Sequence, residues 1–236
     1  MSNQSLEINN NSIVCDSSSL ISLAEACLID ILPFLKQRMY GDFIYPKMVR
    51  LESIERPILA KTHALRALRL QDAEKSNLIK FLDDDVEAET KELMSIANNI
   101  FESKNRAIHL VDAGEAAQIA LAKKLKINNL VIDERTTRTL LEAPIKLKQH
   151  LEYESKKPVV VNQKLLNSFL EKSGRFNIIR SSELVILAYN YGYFDKYGNN
   201  KKVALESALF TLKYSGCSLS YEEINDFMRE LNAESR

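Results

Sequence analysis

Ile13-Val14-Cys15-Asp16 and Leu130-Val131-Ile132-Asp133 are the two stretches on which the fold turns. Each is a short apolar run, rich in Val and Ile and flanked by polar clusters, and each reads as a buried strand with an aspartate at its C-terminal end. Open α/β sheets place their chemistry in the crevice beyond those ends. Two carboxylates from sequence-distant strands can therefore meet, and their mutual repulsion there favours a bound cation.

Working outward, the first strand, about Ser12 to Asp16, runs into Ser17-Ser18-Ser19 and then Leu20, Ile21, Leu23 and Ala24, an amphipathic helical pattern. Leu28 to Leu35 reads as a second short helix interrupted at Pro33, and Phe43-Ile44-Tyr45 as a short strand. Pro46 suits the first turn of a helix carrying Met48, Leu51 and Glu52. Ile58 to Phe81 and Val86 to Phe101 read as long helices separated by Asp83-Asp84-Asp85, a helix N-terminus rather than a site. Asp112 to Ala122 predicts a small-residue helix that can pack closely on a sheet, and it leads directly to the Leu130 strand. Helix followed by buried strand is the signature of a parallel sheet with right-handed crossovers.

Residues 141–175 look inserted, Lys- and Glu-rich, with a β-like Val159-Val160-Val161 that the pattern does not place. Phe176 to Ile179 resumes as a last core strand, followed by closing helices around Val203 to Tyr214 and Tyr221 to Leu231. The second of these starts at Ser220 with Glu223 three residues on, a capping-box spacing. The expected organisation is one domain over residues 12–236, with a helical elaboration at about 57–105, the insert at about 141–175, and a polar N-terminal arm at 1–11.

Composition excludes several classes. With 236 residues, 45% hydrophobic and 27% charged, the chain can bury a sizeable interior without staples. A formal net charge of zero gives no overall attraction to nucleic acid, so polyanion binding would need a local basic patch. Cys15, Cys27 and Cys217 are odd in number and form no C-x-x-C, which argues against a disulfide framework or a thiolate zinc site and fits a reducing cytoplasm. No run approaches the roughly 18 apolar residues of a membrane span. His63, His109 and His150 are isolated, and the six glycines form neither a Walker loop nor a dinucleotide fingerprint. An aspartyl-phosphate phosphatase would want a second aspartate two residues after the first, where this chain has Ser18.

Asp16 with Ser18 and an apolar helix, Pro46 and Glu52 after a short strand, Gly114-Glu115 heading an Ile-Ala-x-Ala helix, and Val-Ile-Asp-Glu-Arg at Asp133 together resemble a PIN domain. The Asp-x-Gly-Glu-Ala and Ile-Asp-Glu-Arg stretches, with Ser182-Glu183-Leu184 to Gly192, are similar to the PIN-like branch of prokaryotic predicted nucleic-acid-binding proteins. The likeness covers about Ile13 to Arg138 and, more loosely, Phe176 to Leu231. It implies an α/β, three-layer PIN-like fold with a central parallel sheet flanked by helices, plus extra helical segments. It also implies a Mg- or Mn-dependent nuclease, usually cutting single-stranded RNA before DNA, with Asp16, Glu52, Glu115 and Asp133 at the positions of the family's four acids. Glu115 stands where an aspartate is more common, and either carboxylate can ligate a hard cation. The helical stretch between Glu52 and Asp112 and the insert after Leu141 depart from the family pattern and bear on the substrate groove and partner surface.

On this reading Asp16, Glu115 and Asp133 are the metal ligands, Glu52 is a water-positioning acid, and Ser18 orients a ligand or water. Arg135 and Arg138 contact substrate, while Lys47, Arg50, Arg66 and Arg69 read first as solvated partners of nearby acids. Plainer roles stand beside these. Asp16 could cap the following helix, Asp112 and Glu115 fit a capping box, and Arg56 could pair with Glu52. An antitoxin-like protein and a second copy of the chain are the candidate protein partners. The rival to a nuclease is a nuclease-like fold used for nucleic-acid or protein binding, with the acids holding metal weakly or not at all.

Overall fold

The computed structural model describes residues 10–39 and 41–233. The expected arm at residues 1–11 therefore lies, apart from Asn10 and Asn11, outside the described residues. β1 (Ile13–Cys15) turns at Asp16 into α1 (Ser17–Glu25). α2 (Ile31–Met39) carries Pro33 in its first turn, where backbone N–H groups have no helical partner anyway, so the expected interruption there does not occur. β2 (Phe43–Pro46) leads into α3 (Lys47–Arg50), a π-helical turn (Leu51–Glu55) and α4 (Arg56–Ala60). Pro57 has no N–H to donate to the preceding turn, and the helix widens just before it.

Lys61, at a φ of 63°, ends α4, and α5 (Ala64–Lys75) follows. The long helix expected from Ile58 to Phe81 is thus broken, and its tail is β3 (Lys80–Leu82), extended beside β2. Pairing with an existing strand overrides the weak helical pattern of so short a segment. The chain continues through α6 (Glu87–Ala97), β4 (Phe101–Ser103), β5 (Arg106–Ala107), α7 (Ala113–Leu125), β6 (Asn129–Val131) and α8 (Arg135–Glu142). The stretch read as an insert forms α9 (Pro144–Ser155), β7 (Val160–Val161) and α10 (Gln163–Ser173). Its β-like valines find their place here, for β7 pairs antiparallel with β4 in a small second sheet ordered β5-β4-β7. β8 (Asn177–Ile179), α11 (Ser181–Asn190), α12 (Lys201–Tyr214) and α13 (Tyr221–Ala233) complete the chain, and Ser220 and Glu223 make the expected capping box.

The main sheet is parallel throughout, in the order β3-β2-β1-β6-β8. Its strands alternate between two cores. Ile13, Cys15, Phe43, Tyr45 and Val131 face one that includes Leu20, Leu35, Leu184, Leu209 and Leu212. Val14, Ile44, Leu130 and Ile132 face the other, with Leu93, Ile119, Leu166 and Phe169. Helices thus bury both faces of the sheet, the three-layer α/β arrangement. β1 and β6 lie side by side in its centre with Cys15 opposite Val131, so Asp16, one residue further on, and Asp133, two residues further on, leave the same edge together.

Candidate active site

Asp16 and Asp133 are 1% and 0% exposed. The Asp16 carboxylate caps α1, with Oδ1 accepting from the Ser19 backbone N–H at 2.8 Å and Oδ2 accepting from Ser18 Oγ. Oδ2 also accepts from the Asp133 backbone N–H at 3.3 Å, which ties the two strand ends to each other. The capping role and the meeting of the two acids hold at once, because the oxygens serve different partners. Burial first, and the neighbouring Asp133 charge second, push the Asp16 carboxyl up to about 7 against the pull of its hydrogen bonds. Among the described residues no Lys, Arg or His makes an ion pair with either acid.

Glu52 and Glu115 form a second, half-buried pair. The π-helical turn presents Glu52, whose Oε2 accepts from Ser17 Oγ at 2.6 Å, and no ion pair joins it to Arg56. Its carboxylate lies over Gly114 at the start of α7, in space that a Cβ at 114 would occupy. Glu115 completes the expected capping box, accepting from the Asp112 N–H at 2.8 Å. Burial raises its carboxyl to about 6, with the Asp112 and Glu52 charges adding to the rise and backbone N–H groups opposing it.

Two residues escaped the sequence reading. Gln118 on α7 is fully buried, and its Nε2 donates to the carbonyls of Val14 and Val131 at 2.8 Å each, two residues before each aspartate. Ser181, the first residue of α11, donates its backbone N–H to Asp133 Oδ1 at 2.7 Å and its hydroxyl to Oδ2 at 2.6 Å. A small-residue helix before a strand hinted at Gln118 only as packing. The neighbouring Ser182 enters only as part of the family resemblance, and nothing local pairs Ser181 with an acid 48 residues earlier.

Of the cations, Arg50 is held by Glu74 and Glu55, Arg66 by Glu25, and Arg69 by the Ala24 carbonyl, so these serve the fold. Arg135 is exposed and Arg138 half-buried, and neither makes an ion pair among the described residues. Arg138 lines a cavity of about 330 Å³ with Lys146, Arg180 and Glu223.

A family model described as a PIN domain, DUF3368, matches residues 12–145. The chain belongs to the PIN-domain family. No curated protein matches it. The central parallel sheet with helices on both faces is the fold that membership entails, and the match ends before β7, so α10 to α13 and the Ser181 contact lie beyond it.

PIN nucleases generally use divalent metal ions. Among the described residues no three His, Cys, Asp or Glu side chains come together as a ready cage. The donors nevertheless suit a hard cation. They are all oxygens, and the central two repel each other with no counter-charge alongside. Magnesium is commonly held by one or two carboxylates with water and substrate phosphate filling the remaining positions, and a buried carboxylate pair meets that requirement. The half-buried Ser17 and Ser18 beside the pair mark the side nearest solvent.

Proposed function

We propose that this PIN domain is a Mg- or Mn-dependent endonuclease of the cytoplasm that hydrolyses phosphodiester bonds of single-stranded RNA. The observation that carries the reading is the Asp16–Asp133 pair, two buried like charges at the C-terminal edge of the sheet with Asp16 driven up to about 7. A bound divalent ion would activate water and neutralise charge building on the phosphate. Asp16 and Asp133 would hold that ion, with Glu115 as a further ligand, direct or through water. Ser18 fixes the orientation of Asp16 through its hydroxyl. Glu115, raised to about 6, is suited to take a proton from water near neutral pH, and Glu52 beside it would position that water. Arg135 and Arg138, which make no ion pair among the described residues, would contact the flanking backbone. A toxin restrained by a small antitoxin-like partner is the biological setting this activity suits.

The test is cleavage of single-stranded RNA and DNA oligonucleotides by the full chain with Mn²⁺. RNA cleavage should stop with chelator and in Asp16→Asn and Asp133→Asn, each shown folded by circular dichroism. Undiminished cleavage by either variant would falsify the assignment of the site. A second reading, a PIN fold used for binding without catalysis, draws on the near-complete burial of both aspartates among protein donors. It predicts RNA retention on the protein with no metal-dependent product.

A further inference from the structure

Beyond residue 145, where the family match ends, a serine holds one member of the acid pair. We infer that Ser181 is a positioning residue for Asp133, so that the segment beyond residue 145 completes the site rather than decorating it. The inference rests on the metal-dependent reading above.

Asp133 receives one hydrogen bond on each carboxylate oxygen, both from Ser181, and this fixes the plane of the group. Each oxygen accepts more than one partner, so a cation can still share it. Hydrogen bonds that orient a ligating carboxylate in this way commonly account for tenfold to hundredfold in metal affinity. Ser181 is itself held firmly. It opens α11, whose N-terminus favours an anion, and its neighbour Arg180 is braced on three sides. Arg180 Nη1 donates to the Ser218 carbonyl at 3.0 Å and to Glu223 at 2.8 Å, and Nη2 donates to Glu183 at 3.2 Å. The Ser218 backbone N–H returns to the Asp133 carbonyl at 3.2 Å. The turn before α13 thus clasps Asp133 and the residue next to its partner, which leaves Ser181 little freedom to swing away.

The experiment titrates Mn²⁺ alone into the full chain and follows the melting temperature, comparing wild type with Ser181→Ala, Ser181→Val and Ser181→Thr. Val and Thr have the same shape and differ by the hydroxyl, so the steric cost of a second γ atom at a fully buried position cancels between them. The expected result is a Mn²⁺ midpoint about tenfold or more higher in Ala and Val, with Thr close to wild type. The Mn²⁺ concentration for half-maximal RNA cleavage should follow the same order. If wild type responds to Mn²⁺ and Val and Thr share its midpoint, Ser181 only starts a helix and the inference is overturned while the metal reading survives. If wild type gives no response at any concentration, the metal reading falls and Ser181 loses its role with it.

Discussion

Asp16 holds a charge that the folded chain disfavours and the unfolded chain does not. Its carboxyl titrates at 3.8 when exposed and at about 7 in the fold, so the native state binds the proton more tightly. Stability from this group is fully present below about pH 4 and is lost as pH rises through 7, the reverse of an ordinary salt-bridged aspartate. A shift of this kind corresponds to a few kcal/mol, roughly. Metal-free protein should therefore melt lower at pH 8 than at pH 5. Asp16→Asn should flatten that slope, because the amide carries no charge to repel Asp133, while its Nδ2 cannot accept from Ser18 Oγ and the Asp133 N–H as Oδ2 does, which lowers the melting temperature at every pH. A variant whose melting temperature falls from pH 5 to pH 8 as steeply as that of wild type would show that the two carboxylates do not oppose each other as the geometry requires. Glu115 adds a smaller dependence of the same sign between about 4.5 and 6.

Elements set the second acid pair. Glu52 reaches the start of α7 because a π-helical turn rotates its helix ahead of Pro57, and because position 114 has no side chain. Gly114→Ala tests this directly. The helix gains a better former, worth up to about 1 kcal/mol, and the displaced atoms are the far end of a flexible side chain, so the melting temperature should hold or rise. Cleavage should nonetheless fall as Glu52 is pushed away from Glu115; unchanged turnover would mean that Glu52 plays no part. The sequence makes some of this legible and hides the rest. β1 and β6 announce themselves because an apolar run ending in an acid is a local pattern, and the Asp112–Glu115 and Ser220–Glu223 caps are legible for the same reason. β3 is hidden, since three residues after an Ala- and Leu-rich helix become a strand only because β2 is there to pair with. The π-helical turn leaves no periodicity to read, and the expected Arg56–Glu52 pair assumed a regular α-helix at that place.

At the scale of the whole molecule, the site depends on a sheet buried from both sides by segments far apart in the chain. One core includes Leu205, Leu209 and Leu212 of α12 and Ile224 and Met228 of α13, all beyond the family match, so the C-terminal helices are part of the fold that holds β1 and β6 in register. Composition indicates that such a core exists but not which helix covers which face; that is settled by the sheet order, which only contacts between distant segments define. The same order brings Ser181 to Asp133, with β8 beside β6 and α11 starting immediately after it. Packing and positioning are therefore separable here. Leu212, fully buried and remote in sequence from every acid, should cost about 2–5 kcal/mol on replacement by Ala, read as a lower urea midpoint. Its Mn²⁺ midpoint, measured where the variant remains folded, should match wild type, because none of the hydrogen bonds to Asp133 runs through that side chain. A Leu212→Ala protein that loses Mn²⁺ affinity as fully as Ser181→Ala would show that general loosening of this core, and not the serine, governs the carboxylate pair.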